Sequence, residues 1–304
     1  MSESASLPMN FGGIEEEQYS SFDPARIVVF PVSYEGTVSY GTGTGAGAMA
    51  IVEASRNMEL YEEETDAEVY KLGIHTLEEF HPRGTPAETM DALYGYTKDL
   101  LKHDKFVCML GGEHSISAPV IKAHAEKFHN MSVLQIDAHA DLRDTYDGTP
   151  HSHASIMARV VKDMKIPSVQ VGIRSISAEE ARLLGTGLPT KIFWAKDIAG
   201  RTDWIDSAID SLTENVYLTI DIDGLDPSIV PTTGTPEPGG LGWYETLKLI
   251  RKLAEKKRVV GMDLVEYSYF ENYDSPAFLC SKLVYKSLAY IFRNETKKVV
   301  TGGA

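Results

Sequence analysis

The sequence predicts one α/β domain of three layers, α/β/α, with a mostly parallel central sheet. Three observations lead there. Apolar runs of strand length alternate with segments of helical period along the chain. Those runs are continuous rather than alternating, as in strands covered on both faces by helices. Acidic residues and histidines stand just past several of the runs. In open parallel sheets the ligand site lies beyond the carboxyl ends of the strands.

The elements follow in order. Residues 1–22 are polar and read as partly irregular. Arg26–Val32 is a strand, followed by a Gly- and Thr-rich loop over Ser33–Gly47 and a helix from Ala48 to Asn57. The loop resembles a dinucleotide site. However, Gly41-Thr-Gly43-Thr-Gly45-Ala-Gly47 lacks the G-x-G-x-x-G spacing, and no lysine follows as in a P-loop. It reads as a flexible or closely packed loop. The acidic run Glu62–Glu68 reads as a solvated face or loop. Val69–Ile74 reads as a short strand. Pro86–His103 has helical spacing, with Met90, Leu93, Tyr94, Thr97, Leu100 and Leu101 on one side. The strand Phe106–Leu110 stops at Gly111-Gly112, and a helix runs from Ser115 to Phe128.

The second half repeats the pattern. A strand over 131–137 leads into a turn-rich loop, Arg143–Ser152, and a helix, Ala154–Met164. Strands are expected at Ser168–Gly172, Lys191–Trp194, Val216–Ile220 and Arg258–Val265. Helices are expected at Ala178–Leu184, Trp204–Leu212, Tyr244–Ala254 and Ala277–Phe292, with a Pro- and Gly-rich loop over Asp226–Gly242. The tail Asn294–Ala304 is expected to fray. With no internal repeat or long linker, residues 1–304 read as one domain, less ordered over 1–22 and 294–304.

Composition narrows the function. With 43% hydrophobic and 24% charged residues, 304 residues suit a soluble protein with a sizeable core. A net charge of -15 argues against nucleic acid or an anionic membrane as partner and fits a small cationic substrate. Cys108 and Cys280 lie in apolar surroundings and read as reduced core residues. Met1–Asn10 has neither a basic start nor an apolar core, so no signal peptide is expected. No apolar run is long enough to span a bilayer, so the expected location is the cytoplasm.

Four strand ends carry the chemistry. Asp137-Ala-His139-Ala-Asp141 places three metal-competent side chains at alternate positions, which point one way in an extended chain. Leu110-Gly-Gly-Glu-His114 ends a strand with an imidazole. Thr219-Ile-Asp221-Ile-Asp223 ends another with two carboxylates, and Val260-Gly-Met-Asp-Leu-Val-Glu266 a fourth with one. Carboxylates and imidazoles crowded at one place call for a cation between them. A donor set dominated by carboxylates favours hard or borderline divalent metals over thiolate-type zinc.

The chain resembles the ureohydrolases, the family of arginase and agmatinase. G-G-x-H matches at Gly111–His114 and D-A-H-x-D at Asp137–Asp141. The pattern [ST]-x-D-x-D-x-x-x-P-x-x-x-P matches at Thr219–Pro231. The stretch Thr233–Gly240 and the V-G-M-D-x-V-E run ending at Glu266 are also similar, and the likeness runs in order from Ile27 to Phe292. The resemblance implies two Mn²⁺ per chain: His114 and Asp141 on one, His139 and Asp223 on the other, Asp137 and Asp221 bridging. It also implies that Glu266 receives the substrate guanidinium and that His153 carries a proton. A metal-bridging hydroxide would attack the guanidinium carbon to give urea and an amine. His151 competes with His153 for the proton role and is a further substrate-side residue.

Two departures bear on the substrate. Where arginase grips the α-carboxylate and α-amino group with an Asn and a second acid, this chain has Arg143 and Ser177. That points to the agmatinase branch and to agmatine, cleaved to putrescine and urea. Arg143 would meet either the tail of the substrate or solvent, or pair with Asp144 or Asp147. Guanidinobutyrate or guanidinopropionate is the alternative substrate, with arginine behind them. A non-catalytic metal-binding assembly subunit is the reading from a different class. The usual Pro after the V-E pair is replaced near Tyr269, which would reshape the rim of the site. The family also implies a homo-oligomer, trimer or hexamer.

Overall fold

The computed structural model describes residues 8–301. Eight strands form one sheet: β1 Ile27–Pro31, β2 Ile74–Thr76, β3 Phe106–Leu110, β4 Met131–Ile136, β5 Ser168–Ile173, β6 Thr190–Trp194, β7 Asn215–Asp221 and β8 Arg258–Val265. Their order is β2-β1-β3-β8-β7-β4-β5-β6, and every pairing is parallel. The helices are α1 Glu17–Ser20, α2 Gly47–Ser55, α3 Pro86–Leu101, α4 Ser117–Lys127 and α5 Ile156–Ala158. After them come α6 Ala178–Leu184, α7 Ala195–Ile198, α8 Ile205–Asp210, α9 Trp243–Lys256 and α10 Ser275–Thr301.

Alternation along each strand builds two cores, one on each face of the sheet. In β3, Cys108 and Leu110 join one cluster and Val107 and Met109 the other. The first cluster is closed by apolar residues of α2, α8, α9 and α10, the second by those of α3, α4 and α5. This is the three-layer arrangement, and it explains why the strand runs are apolar at every position. Both cysteines are buried and free, and burial pushes their thiols up. The start of α3 is set locally by Thr85 and Glu88, which form a capping box with Pro86 in the first turn. Among the described residues no helix is long and apolar enough to cross a membrane.

Several segments differ from expectation. Residues 69–74 hold a 3-10 turn, Val69–Leu72, before β2 rather than one strand. The helix expected over Ala154–Met164 is a 3-10 turn, one α turn and a π turn, Arg159–Asp163. The final helix continues past Phe292 to Thr301. Within 8–22, Phe11 and Ile14 are buried and α1 forms. The loose ends expected at 1–7 and 302–304 lie outside the described residues.

The acidic run is the exposed loop the sequence predicts at Glu63, Glu64 and Asp66, but its first residue departs from that reading. Glu62 is fully buried and accepts from Lys286 Nζ at 2.6 Å. Lys286 also reaches Glu63 at 2.9 Å and Glu64 at 3.6 Å. The cation that settles the run comes from α10, far along the chain, where no local pattern reveals it. His124 is buried within α4. Its Nδ1 lies 2.8 Å from Val120 O, and its ring stands edge-on to Tyr217. Gly261 makes the room, since a Cβ there would come within 2.4 Å of Nε2.

Two predictions follow from these buried groups. Lys286→Ala strands Glu62 without its cation and should lower unfolding stability by about 3–5 kcal/mol in denaturant titrations. Adding Glu62→Gln should recover part of that loss. Burial lowers the pKa of His124 from 6.5 to about 4. The unfolded chain therefore binds this proton first on acidification, and stability falls as pH drops from 6.5 towards 4. His124→Leu should flatten that part of the pH–stability curve.

Candidate active site

Strands β3, β8, β7 and β4 are neighbours at the middle of the sheet, and their carboxyl ends supply all four motifs. The turn after β3 requires glycine. A Cβ on Gly112 would lie 1.9 Å from Tyr34 O, so only a bare backbone lets the 33–37 loop pass. The Gly112 carbonyl accepts from Glu266 N–H at 2.8 Å, and Glu266 Oε1 accepts from His114 N–H at 2.6 Å. These two bonds lock the end of β8 to the turn after β3.

The ends then converge. His114 Nδ1 lies 3.1 Å from Asp137 Oδ2, 3.2 Å from Asp141 Oδ2 and 3.3 Å from Asp221 Oδ2. It is buried and makes a hydrogen bond to none of them. Its other nitrogen, Nε2, is 2.9 Å from Thr219 Oγ1, which donates to Asp263 Oδ1 at 2.6 Å. The Thr219 hydrogen is thereby committed, so Nε2 donates to Thr219 and Nδ1 is the nitrogen left facing the three carboxylates, free to bind a cation when one displaces its proton. His139 Nδ1 lies 2.9 Å from Asp223 Oδ2 and 3.7 Å from Asp137 Oδ1. Asp221 Oδ1 accepts from Asp223 N–H, and Asp223 Oδ1 from Ala138 N–H, each at 3.0 Å.

At these strand ends two groups of donors are close enough to hold a metal ion, His114, Asp137 and Asp141, and Asp137, His139 and Asp223; a third group among the described residues, Glu62–Glu64, is the one that Lys286 meets. Asp137 belongs to both strand-end groups. Burial, then the neighbouring carboxylates, raises the pKa of Asp137 and of Asp221. Burial opposes charge on His114 and His139, and the facing carboxylates outweigh it and raise both. Burial also opposes charge on Asp223, where the hydrogen bond from His139 prevails and lowers it. Lone pairs aimed at one another in this way fit divalent cations between them.

These groups open into a cleft of about 280 Å³. Glu266, Arg143 and His153 line it, with the loop Val38–Gly41, Tyr146, Ser177, Glu180 and Glu237. Burial raises the pKa of Glu266. His153 Nε2 is 3.3 Å from Ser39 Oγ. His151 is not among the lining residues; its backbone N–H donates to Thr149 Oγ1 at 3.1 Å, and burial lowers its pKa. Arg143 pairs with neither Asp144 nor Asp147. Its Nε lies 3.9 Å from Glu180 Oε2 and its guanidinium 4.9 Å over the Tyr146 ring, while Asp144 is taken by Lys162 and Arg159.

The motif reading passed over Glu113, Gln135, Glu180 and Glu237. Gln135 Nε2 donates to Asp137 Oδ2 at 2.6 Å, and Glu237 Oε1 lies 4.0 Å from His139 Nε2. Glu113 lay inside the G-G-x-H motif and Glu237 inside Thr233–Gly240, yet neither was assigned a role. Asp226 is the turn residue its sequence context predicts, accepting from the Ser228, Gly239 and Gly240 amides.

The fold and this arrangement of carboxylates and imidazoles define a metal-dependent hydrolase class, and sequence comparison names it. The arginase family model matches residues 25–289. The N(1)-aminopropylagmatine ureohydrolase of Synechocystis sp. is 39% identical over 295 residues, covering 94% of this chain and 95% of that protein. An agmatinase of Bacillus cereus is 32% identical over 289 residues, covering 91% and 96%. The solved agmatine ureohydrolase of Thermoplasma volcanium superposes with a TM-score of 0.82 at 26% identity, covering 97% of this chain and 98% of that one. The chain belongs to the arginase family and is an agmatinase-like ureohydrolase.

Each of the two His/Asp groups should take one divalent ion. His139→Ala should lower bound manganese, measured by elemental analysis after loading and desalting, by one ion per chain relative to the unmodified protein. His153→Ala should leave the metal content unchanged; loss of an ion there would place His153 among the ligands instead.

Proposed function

We propose that the chain is a binuclear-manganese hydrolase that cleaves the guanidinium of a linear, amine-terminated guanidine to urea and the corresponding amine. The observation that carries this reading is the sharing of Asp137 by two His/Asp groups, with Glu266 and His153 on the same cleft. His114, Asp141, His139 and Asp223 would hold the ions, with Asp137 and Asp221 between them. Two such ions, when bound, would lower the pKa of a water at the site and so supply a nucleophile near neutral pH.

The remaining work falls to side chains. Glu266 Oε1 is occupied by the His114 amide, which leaves its second oxygen to accept from the guanidinium. An arriving guanidinium offsets the burial that raises this carboxyl and keeps it ionised. His153 delivers the proton to the departing amine nitrogen, so the C–N bond breaks as the amine becomes neutral.

Glu180 supports the choice of an amine-terminated tail. Ser177 caps α6 by accepting from Glu180 N–H at 3.2 Å, and its own N–H donates to Glu180 Oε2 at 2.7 Å. The same carboxylate faces Arg143. The two positions that depart from the arginase pattern are therefore tied to each other through one acid rather than left open for an amino-acid head group. The similarity to aminopropylagmatine ureohydrolases supports trying N(1)-aminopropylagmatine first and agmatine second; their amine products would be spermidine and putrescine.

Urea release by the Mn²⁺-loaded protein, measured across a panel of guanidines, tests this. N(1)-aminopropylagmatine and agmatine should exceed arginine and guanidinobutyrate in kcat/KM by about 100-fold or more, the discrimination expected when charged or polar groups are left unmatched. Faster turnover of either acid would overturn the substrate class. Absence of urea from every compound, with metal bound, would favour a non-catalytic subunit.

A further inference from the structure

We propose that Glu113 and Thr37 form a positioning device for His153, holding its ring as the Nδ1–H tautomer so that proton exchange is confined to Nε2. The proposal rests on the reading of His153 as proton carrier given above. It concerns two residues that neither bind the reacting guanidinium nor belong to the metal groups.

Glu113 lies between Gly112 and His114 and is fully buried. A carboxylate accepts and does not donate. Its Oε2 accepts from the amides of Gly36 at 2.7 Å and Thr37 at 2.6 Å. Its Oε1 accepts from Thr37 Oγ1 at 2.7 Å and from Ser115 Oγ. The single hydroxyl hydrogen of Thr37 is thus directed at Glu113, and Thr37 Oγ1 has only lone pairs left for its other neighbours.

Those neighbours belong to His153. The His153 backbone N–H approaches Thr37 Oγ1 at 3.3 Å and the ring Nδ1 at 3.4 Å. Ser152 Oγ is also 3.4 Å from Nδ1; it accepts from Ala154 N–H and keeps a second lone pair that can accept from a protonated Nδ1. An unprotonated Nδ1 would set its lone pair against the lone pairs of Thr37. A proton on Nδ1 turns the same contact into a hydrogen bond. Nε2 then faces Ser39 Oγ and the cleft, where a hydroxyl can donate to the neutral ring or accept from the charged one. Tyr146, edge-on with its ring centre 5.6 Å away, opposes rotation of the imidazole.

The consequence is kinetic. The Nδ1–H···Thr37 contact is the same in neutral and protonated imidazole, so the ring takes and gives its proton without turning over. Wrong-tautomer histidines are known to be costly to catalysis, and general acid–base catalysis as a whole contributes 10²–10⁴-fold. The device also joins the first metal motif to the proton carrier, because Glu113 is the residue before His114.

The test compares Thr37→Val, Thr37→Ala, Thr37→Ser and His153→Ala in the full-length, Mn²⁺-loaded protein, with agmatine and N(1)-aminopropylagmatine as probes. Thr37→Val and Thr37→Ala keep the backbone amide on Glu113 and lose the hydroxyl. Each should lower kcat about tenfold or more, with KM within about twofold and with metal content and thermal midpoint unchanged. Thr37→Ser should restore most of the rate. Unchanged kcat in both hydroxyl-free variants would overturn the proposal. So would a joint change of KM, metal content or midpoint that serine does not repair, because that pattern marks a loop-anchoring role. Wild-type kcat in His153→Ala would instead remove the reading on which the proposal rests. A slow His153→Ala beside a normal Thr37→Val would remove the proposal alone. Should Thr37→Val fail to fold, Thr37→Ala carries the same comparison.

Discussion

The structure depends on one electrostatic constraint. Asp137, Asp141, Asp221 and Asp223 meet two imidazoles at the ends of β4 and β7 and beside the turn after β3, and most of the six are nearly inaccessible to water. Like charges so placed raise one another's pKa values and destabilise the fold unless something positive lies among them. The protein meets this partly with backbone and side-chain donors: Ala138 and Asp223 amides, and the amide of Gln135. It also holds Asp141 and Glu266 at φ of 51° and 63°, values that non-glycine residues rarely adopt. Such strain persists only where the surroundings fix the backbone. Here the fixing comes from an all-parallel sheet with an apolar core on each face.

Much of this arrangement was legible. The strand ends fell where continuous apolar runs met Gly, Asp or His, and the four chemically loaded ends proved to be spatial neighbours. The period-two argument for Asp137, His139 and Asp141 was only partly correct. β4 ends at Ile136, so the three residues lie in the turn beyond the strand. Asp137 and Asp141 face His114, while His139 turns to Asp223. The chain bends at Ala138 and Asp141 takes a φ of 51°, so the three side chains do not share one extended face.

What stayed hidden has a common cause: each missed residue takes its meaning from a partner distant in sequence. Glu62 looks like any member of a solvated acidic run until Lys286 of α10 reaches it. His124 has no local sign of burial, because the space for it is a missing side chain at Gly261. Glu113 sits in the middle of a recognised motif, yet its partners Gly36 and Thr37 belong to a loop read only as flexible or closely packed. The Gly- and Thr-rich loop after β1 is closely packed rather than loose. Glu35 collects the amides of Gly43 and Gly45 just as Glu113 collects those of Gly36 and Thr37.

Glu180 shows how such a partner can decide specificity. Seen alone, Arg143 is an unmatched cation at the mouth of a cleft and invites a carboxylate substrate. Seen with Glu180 and Tyr146, its charge is partly met within the chain and its plane lies over a ring. Glu180 is itself held by the amides of Leu142 and Ser177 and cannot swing away to release Arg143 without breaking both bonds. A substrate carboxylate would have to compete with an acid already in place. A chain of methylenes ending in an ammonium would meet no such competition, and Glu237, whose Oε1 lies 4.0 Å from His139 Nε2, adds negative potential on the same cleft. On the proposed reading, selectivity against amino-acid guanidines would arise from an ion pair the protein makes with itself, rather than from a group reserved for the substrate.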